Sequence, residues 1–141
     1  MTRVVPVFLL LATLPITAAI SAEPNAKLPP IKAIKIVKPK GKSTGFKAAS
    51  RKKPLIIRSE KDAAKHFSKK ALAKLKKQVD FKRQFVLVFA WRGSGQDRLR
   101  YDVAESFPEQ IVFRFKRGRT RDLRPHLYVF ALRSNVKWSV K

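Results

Sequence analysis

Phe85-Val86-Leu87-Val88-Phe89-Ala90-Trp91 is a run of seven apolar residues with no polar interruption. A half-exposed strand alternates apolar and polar side chains. A continuous run of this length, rich in β-branched and aromatic residues, reads instead as a central strand covered on both faces. Leu127 to Leu132 is a second wholly apolar run and reads as another inner strand. Leu99-Arg100-Tyr101-Asp102-Val103 and Ile111-Val112-Phe113-Arg114-Phe115-Lys116 alternate, as half-exposed strands do. Val136-Lys137-Trp138-Ser139-Val140 also alternates and suits an edge strand.

Upstream of the buried run the periodicity changes. Leu55-Ile56-Ile57 is a short strand candidate, and Ser59-Glu60-Lys61-Asp62 reads as a helix N-terminus, with Ser59 as cap and acids in the first turn. Ala63, Ala64, Phe67, Ala71, Leu72, Leu75 and Val79 then share one side of a 3.6-residue wheel, and Lys65, His66, Lys69, Lys70, Lys76 and Lys77 the other. This predicts one amphipathic helix, or two short ones broken near Ser68. The expected fold class is α+β: the helix packs on a mainly antiparallel sheet of about five to six strands.

Residues 1–22 have the layout of a secretory signal peptide. Arg3 supplies the positive start, Val4 to Leu14 the apolar stretch, and the small residues up to Ala22 the cleavage region. An uncleaved anchor is the alternative, and Lys27, Lys32, Lys35 and Lys38 soon after the apolar stretch favour it. Export to the periplasm or exterior is the expected localisation. Residues 23–53 hold ten basic side chains, one acid and four prolines, and are expected to form a disordered Lys/Pro-rich tail. Ile31, Ile34, Ile36 and Val37 offer the competing reading, a single added strand. The α+β domain is placed at 54–141.

The whole chain of 141 residues carries 33 Lys+Arg against 9 Asp+Glu, a formal charge of +24. Such a balance points to an anionic partner. With no cysteine there is no disulfide, thiolate metal site or thiol nucleophile. Two histidines and nine carboxylates without recognisable catalytic or ligand spacing predict no catalytic residue, no metal and no cofactor.

Two loops carry the candidate chemistry. Gly93-Ser94-Gly95-Gln96-Asp97 follows the buried strand and is able to offer backbone N–H groups to an anion. A hairpin connection, with glycine at positive φ, explains the same residues. Arg117-Gly118-Arg119-Thr120-Arg121-Asp122-Leu123-Arg124-Pro125-His126 places four arginines within eight positions between two strands. Guanidinium forks suit carboxylate, sulfate or phosphate, so this is a candidate anion clamp. Simple solvated charge, or Arg121 and Arg124 tied to Asp97, Asp102 or Asp122, is the competing reading. The candidate ligand-binding set is Arg117, Arg119, Arg121, Arg124, His126, Gln96 and Asp97. His66, among lysines, is expected to stand exposed.

Leu55-Ile56-Ile57-Arg58-Ser59, Val79-Asp80-Phe81, Phe89 to Asp97, Gly118 to His126 and the closing Trp138 together resemble an uncharacterised group of small exported bacterial proteins. The order of strand, helix, Asp-Phe and buried strand is also similar to the C-terminal domain of a protease-complex accessory protein. That domain has Gly-Gly-Tyr after the buried strand, where this chain has Gly93-Ser94-Gly95. The resemblance spans about two-thirds of the chain, Pro54 to Val140. It implies an exported α+β domain and attaches no activity to it.

The functional expectation is a non-enzymatic binding protein for anionic polymers or an anionic envelope surface, such as acidic or sulfated polysaccharide. A module that docks on an acidic protein, for example a protease, is the alternative, and a hydrolase the remote one. Nucleic acid is a less favoured partner, because the aromatics fall in apolar strands and not among the basic residues. No membrane span is expected once the signal is cleaved.

Overall fold

The structure is a computed structural model, and it describes residues 28–35 and 48–141. The expected signal segment, 1–22, lies outside the described residues, as do 23–27 and 36–47 of the expected tail.

Among the described residues, seven strands and two helices follow one another as β1 (Ile31–Ala33), β2 (Leu55–Ile57), α1 (Glu60–His66), α2 (Lys69–Lys76), β3 (Gln84–Gly93), β4 (Arg98–Ala104), β5 (Gln110–Lys116), β6 (Arg124–Arg133) and β7 (Lys137–Val140). The class is α+β, as the sequence predicts. The strands form two sheets where one was expected: β1-β6-β3-β2 and β4-β5-β7. All pairings are antiparallel except β5 with β7.

The two-sheet arrangement explains the unbroken apolar run. Side chains of β3 alternate between two cores. Val86 and Val88 join Ile57, Ala63, Phe67, Ala71, Leu75 and Val79 in a core shared with the helices. Phe85, Leu87 and Phe89 join Leu99, Ile111, Phe113, Phe130 and Leu132 in a core between the sheets. The order of layers is therefore helices, four-stranded sheet, three-stranded sheet. Phe89 is fully buried, with its ring 4.9 Å from that of Phe113 and 6.1 Å from that of Phe130.

The helix breaks where the sequence places the break. Ser59 Oγ caps α1 by accepting from the Asp62 N–H at 3.1 Å, and Ser68 Oγ caps α2 by accepting from Ala71 at 3.3 Å. The second cap forces Phe67 out of helical geometry, to φ −112° and ψ 145°. Ala64 lies off the buried face and is exposed.

The expected tail needs correction in its described parts. Ile31–Ala33 pairs antiparallel with β6 over Phe130–Leu132, and the Ile34 N–H donates to the Val129 carbonyl at 2.8 Å. Ile31 and Ile34 are buried, one in each core, so this short piece of chain covers apolar surface on both faces of its sheet. Arg133 fastens it further: its backbone N–H donates to the Pro30 carbonyl at 3.1 Å and its guanidinium to the Leu28 carbonyl at 3.2 Å. The same guanidinium pairs with Glu109, just ahead of β5. Among the described residues, no helix is long and apolar enough to cross a membrane.

Candidate functional site

The connection between β3 and β4 leaves one sheet and enters the other. It is therefore not the hairpin that its composition suggested. Gly93, Gly95 and Gly118 do not adopt positive φ either. Their lack of a side chain serves close approach instead. A Cβ on Gly118 would stand 2.7 Å from the Gln96 carbonyl carbon, and one on Gly93 would overlap the Asp97 carboxylate.

That approach lets the two candidate loops interlock. The Ser94 and Thr120 hydroxyls bond each other at 2.6 Å, and Ser94 Oγ accepts from the Thr120 N–H at 3.2 Å. Asp97 is the buried pivot, 2% exposed. One of its oxygens accepts from the Gly118 N–H at 2.8 Å and the other from the Trp91 indole N–H at 3.0 Å. Burial pushes the Asp97 carboxyl up, but these donors outweigh it and hold the group below its ordinary value. Asp122 makes the reciprocal link, with its Oδ1 accepting from the Gly95 N–H at 3.0 Å. Bonds from Thr120 and then Gly95, with Arg124 beside it, bring its carboxyl down to about 2.

The glycine turn thus does hold an anion, and the anion is the chain's own Asp122. Its Gln96 and Asp97 N–H groups are also taken, by Ser94 Oγ at 3.2 Å and the Ser94 carbonyl at 2.9 Å. The expectation that this backbone cradles an external anion is replaced by an internal latch.

The arginines have the opposite environment. Arg117, Arg119 and Arg121 line an open depression of about 880 Å³. Arg92, from the end of β3, and Arg51 line it too, and Leu123 stands on its wall, 70% exposed. Among the described residues, none of these five guanidinium groups has a carboxylate partner within salt-bridge distance. The two local carboxylates, Asp97 and Asp122, are committed to the latch. Arg51 sits with its guanidinium carbon 4.9 Å above the Phe115 ring.

Of the seven candidates, Arg117, Arg119, Arg121 and Asp97 come together at the depression, with Asp97 as a structural anchor. Arg124 is drawn away: it begins β6 and pairs with Asp122 through Nε at 2.5 Å. His126 does not face the depression. Its ring stacks on Trp91 at 4.9 Å and its Nε2 lies 2.7 Å from the Ser94 carbonyl. Gln96 lies outside too, exposed, with Oε1 3.5 Å from the Arg119 N–H. Arg51 and Arg92 escaped the sequence reading. The first lay in the presumed tail, and the second is visible only through its adjacency to the buried strand. His66 is half-buried, not exposed, and its Nδ1 is shielded without a hydrogen-bond partner among the described residues. Comparison of the chain with protein-family models, curated proteins and solved structures returns no match.

Proposed function

We propose that the depression is an anion-binding site, and that the protein is an exported, non-enzymatic binder of anionic polymers or of an anionic envelope surface. The observation that carries this reading is the separation of charges at the interlocked loops. Both carboxylates, which also line the depression, bond backbone N–H groups, while Arg51, Arg92, Arg117, Arg119 and Arg121 surround its open space with no carboxylate within salt-bridge distance among the described residues. A latched loop holds arginine stems close to fixed positions, so less ordering is lost when a ligand is gripped. Diffuse charge from the rest of this +24 chain adds salt-sensitive attraction.

The test exchanges Arg92, Arg117, Arg119 and Arg121 for lysine together, which keeps the charge and removes the forks. Binding of sulfated, carboxylated and phosphorylated polysaccharide is then compared at several salt concentrations. Discrimination among the three should shrink, with about 1–3 kcal/mol lost for each bidentate contact removed. Nonspecific attraction should remain. A folded variant with an unchanged ligand profile would reduce the loop to ordinary solvated charge.

The docking alternative has its own support in β7, an edge strand that begins at Lys137 and is followed by Lys141. A strand-addition partner held by backbone bonds would survive high salt, whereas a charge-held polymer would dissociate.

A further inference from the structure

Strand β4 is the other end of the three-stranded sheet and, among the described residues, pairs on one side alone, with β5. It runs seven residues, and the apolar residues of its inner face are incompletely covered. Tyr101 and Val103 are each 38% exposed, although Tyr101 leans on the core rings Phe113 and Phe130 at 6.2 and 5.6 Å. Phe107, in the connection that follows β4, is 85% exposed. An exposed edge with uncovered apolar side chains is the feature that soluble sheet proteins ordinarily suppress.

We propose that this edge pairs with the same edge of a second copy of the chain, antiparallel and two-fold about Tyr101, to make one continuous six-stranded sheet. The choice of occupant comes from the charges. Cross-strand partners share a face, so Leu99, Tyr101 and Val103 of one copy must meet the same set in the other. Three centred registers satisfy this over the middle of the strand. Centring on Arg100 faces Arg98 with Asp102 but sets Arg100 against its own copy, and centring on Asp102 sets the aspartate against its own copy. Centring on Tyr101 sets Arg100 opposite Asp102 of the second copy, twice by symmetry, with Leu99 against Val103 and Tyr101 against Tyr101. Asp102 receives Arg114 on one oxygen, at 2.7 Å from across the β4–β5 pair, and keeps the other for the incoming arginine. Of the three registers, this one alone pairs opposite charges without opposing like ones within the strand.

The pairing is independent of the anion site, and its salt response has the opposite sign. Two strongly basic copies repel, so added salt strengthens the dimer while it weakens charge-driven anion binding. The N-terminal ends of the two β4 strands, beside which the arginine depressions lie, would stand about 20 Å apart along the strand direction.

Sedimentation equilibrium of the purified protein across a protein and NaCl series tests this, with hydrogen exchange of the β4 amides as a second readout. The wild-type chain should dimerise more tightly as salt rises, with the β4 amides gaining protection in step. Arg100→Asp and Asp102→Arg each create like charges at both symmetric pairs and should weaken the dimer about ten-fold or more. An equimolar mixture of those two variants restores opposite charges throughout and should form a heterodimer. Recovery in the mixture also shows that both variants are folded. A wild-type chain that stays monomeric at every concentration and salt leaves this edge to some other partner and overturns the proposal. Dimers that persist unchanged in both single variants place the contact elsewhere and overturn it equally.

Discussion

The indole N–H of Trp91 donates to the buried carboxylate of Asp97 at 3.0 Å, and this bond joins the end of strand β3 to the pivot of the two loops. Trp91 is itself held in a stack between His126 at 4.9 Å and Tyr128 at 5.5 Å, with the Phe115 edge at 5.5 Å. The carboxylate's other oxygen then fixes Gly118 in the arginine loop. Packing of the inter-sheet core is thereby transmitted to the loop that carries the charges.

Asp97→Ala should therefore act on both stability and binding. It removes the acceptor from two donors, the indole and the Gly118 N–H, at a cost of about 3 kcal/mol in unfolding free energy. Trp91 emission should shift as the indole loses its charged partner. Anion affinity should fall although every arginine remains. Denaturant titration alongside polysaccharide binding checks all three.

Acid should open the latch from the Asp122 side. The folded-state carboxyl lies at about 2, against an ordinary value of 3.8, so the folded state favours the charged form. A depressed carboxyl contributes stability that is present above its unfolded value and is lost as pH falls through the folded one. The contribution of Asp122 should accordingly be complete above about pH 5 and disappear from there down to about pH 2. Asp97, also lowered, acts in the same direction. Chemical denaturation at successive pH values should show this slope, and Asp122→Asn should make it shallower.

Gly118→Ala should destabilise although it adds a single methyl. The new Cβ meets backbone, the Gln96 carbonyl carbon at 2.7 Å, which has no side-chain freedom with which to withdraw. The two loops must part, so thermal unfolding should come earlier and the Asp97–Gly118 amide signature should be lost from NMR spectra. Wild-type spectra from this variant would argue against the interlock.

Phe89→Ala should cost about 3–5 kcal/mol, because a fully buried ring between two sheets leaves a cavity that neither sheet can close. A loss below about 1 kcal/mol would mean that the sheets slide together to fill it.

The Ile34 amide should exchange slowly with solvent, on the scale of the β6 amides, because it bonds Val129 beneath a buried side chain. Rapid exchange would return this stretch to the status of a loose tail.

The sequence alone determined the class and the elements from Leu55 onward. Seven apolar residues from Phe85 to Trp91 require cover on both faces, and spacing from Ala63 to Val79 requires a one-sided helix, because these are properties of local periodicity. Ser59 and Ser68 as caps were equally legible, since a cap acts within three residues. Tertiary structure decided what depends on distant pairing. Whether β4 continued the first sheet or began a second was not written in its alternation, which is the same in either case. The strand at Ile31 was only the competing reading, because a lysine-rich neighbourhood looks solvated until β6 supplies a partner edge. The arginine cluster was visible as composition, but its division into Arg124, paired with Asp122 two residues away, and Arg117, Arg119 and Arg121, left open, depends on Asp122 and Asp97 being held by Gly95 and Gly118 across more than twenty residues. Charge is a property of the residue; whether that charge is neutralised is a property of its neighbours in space.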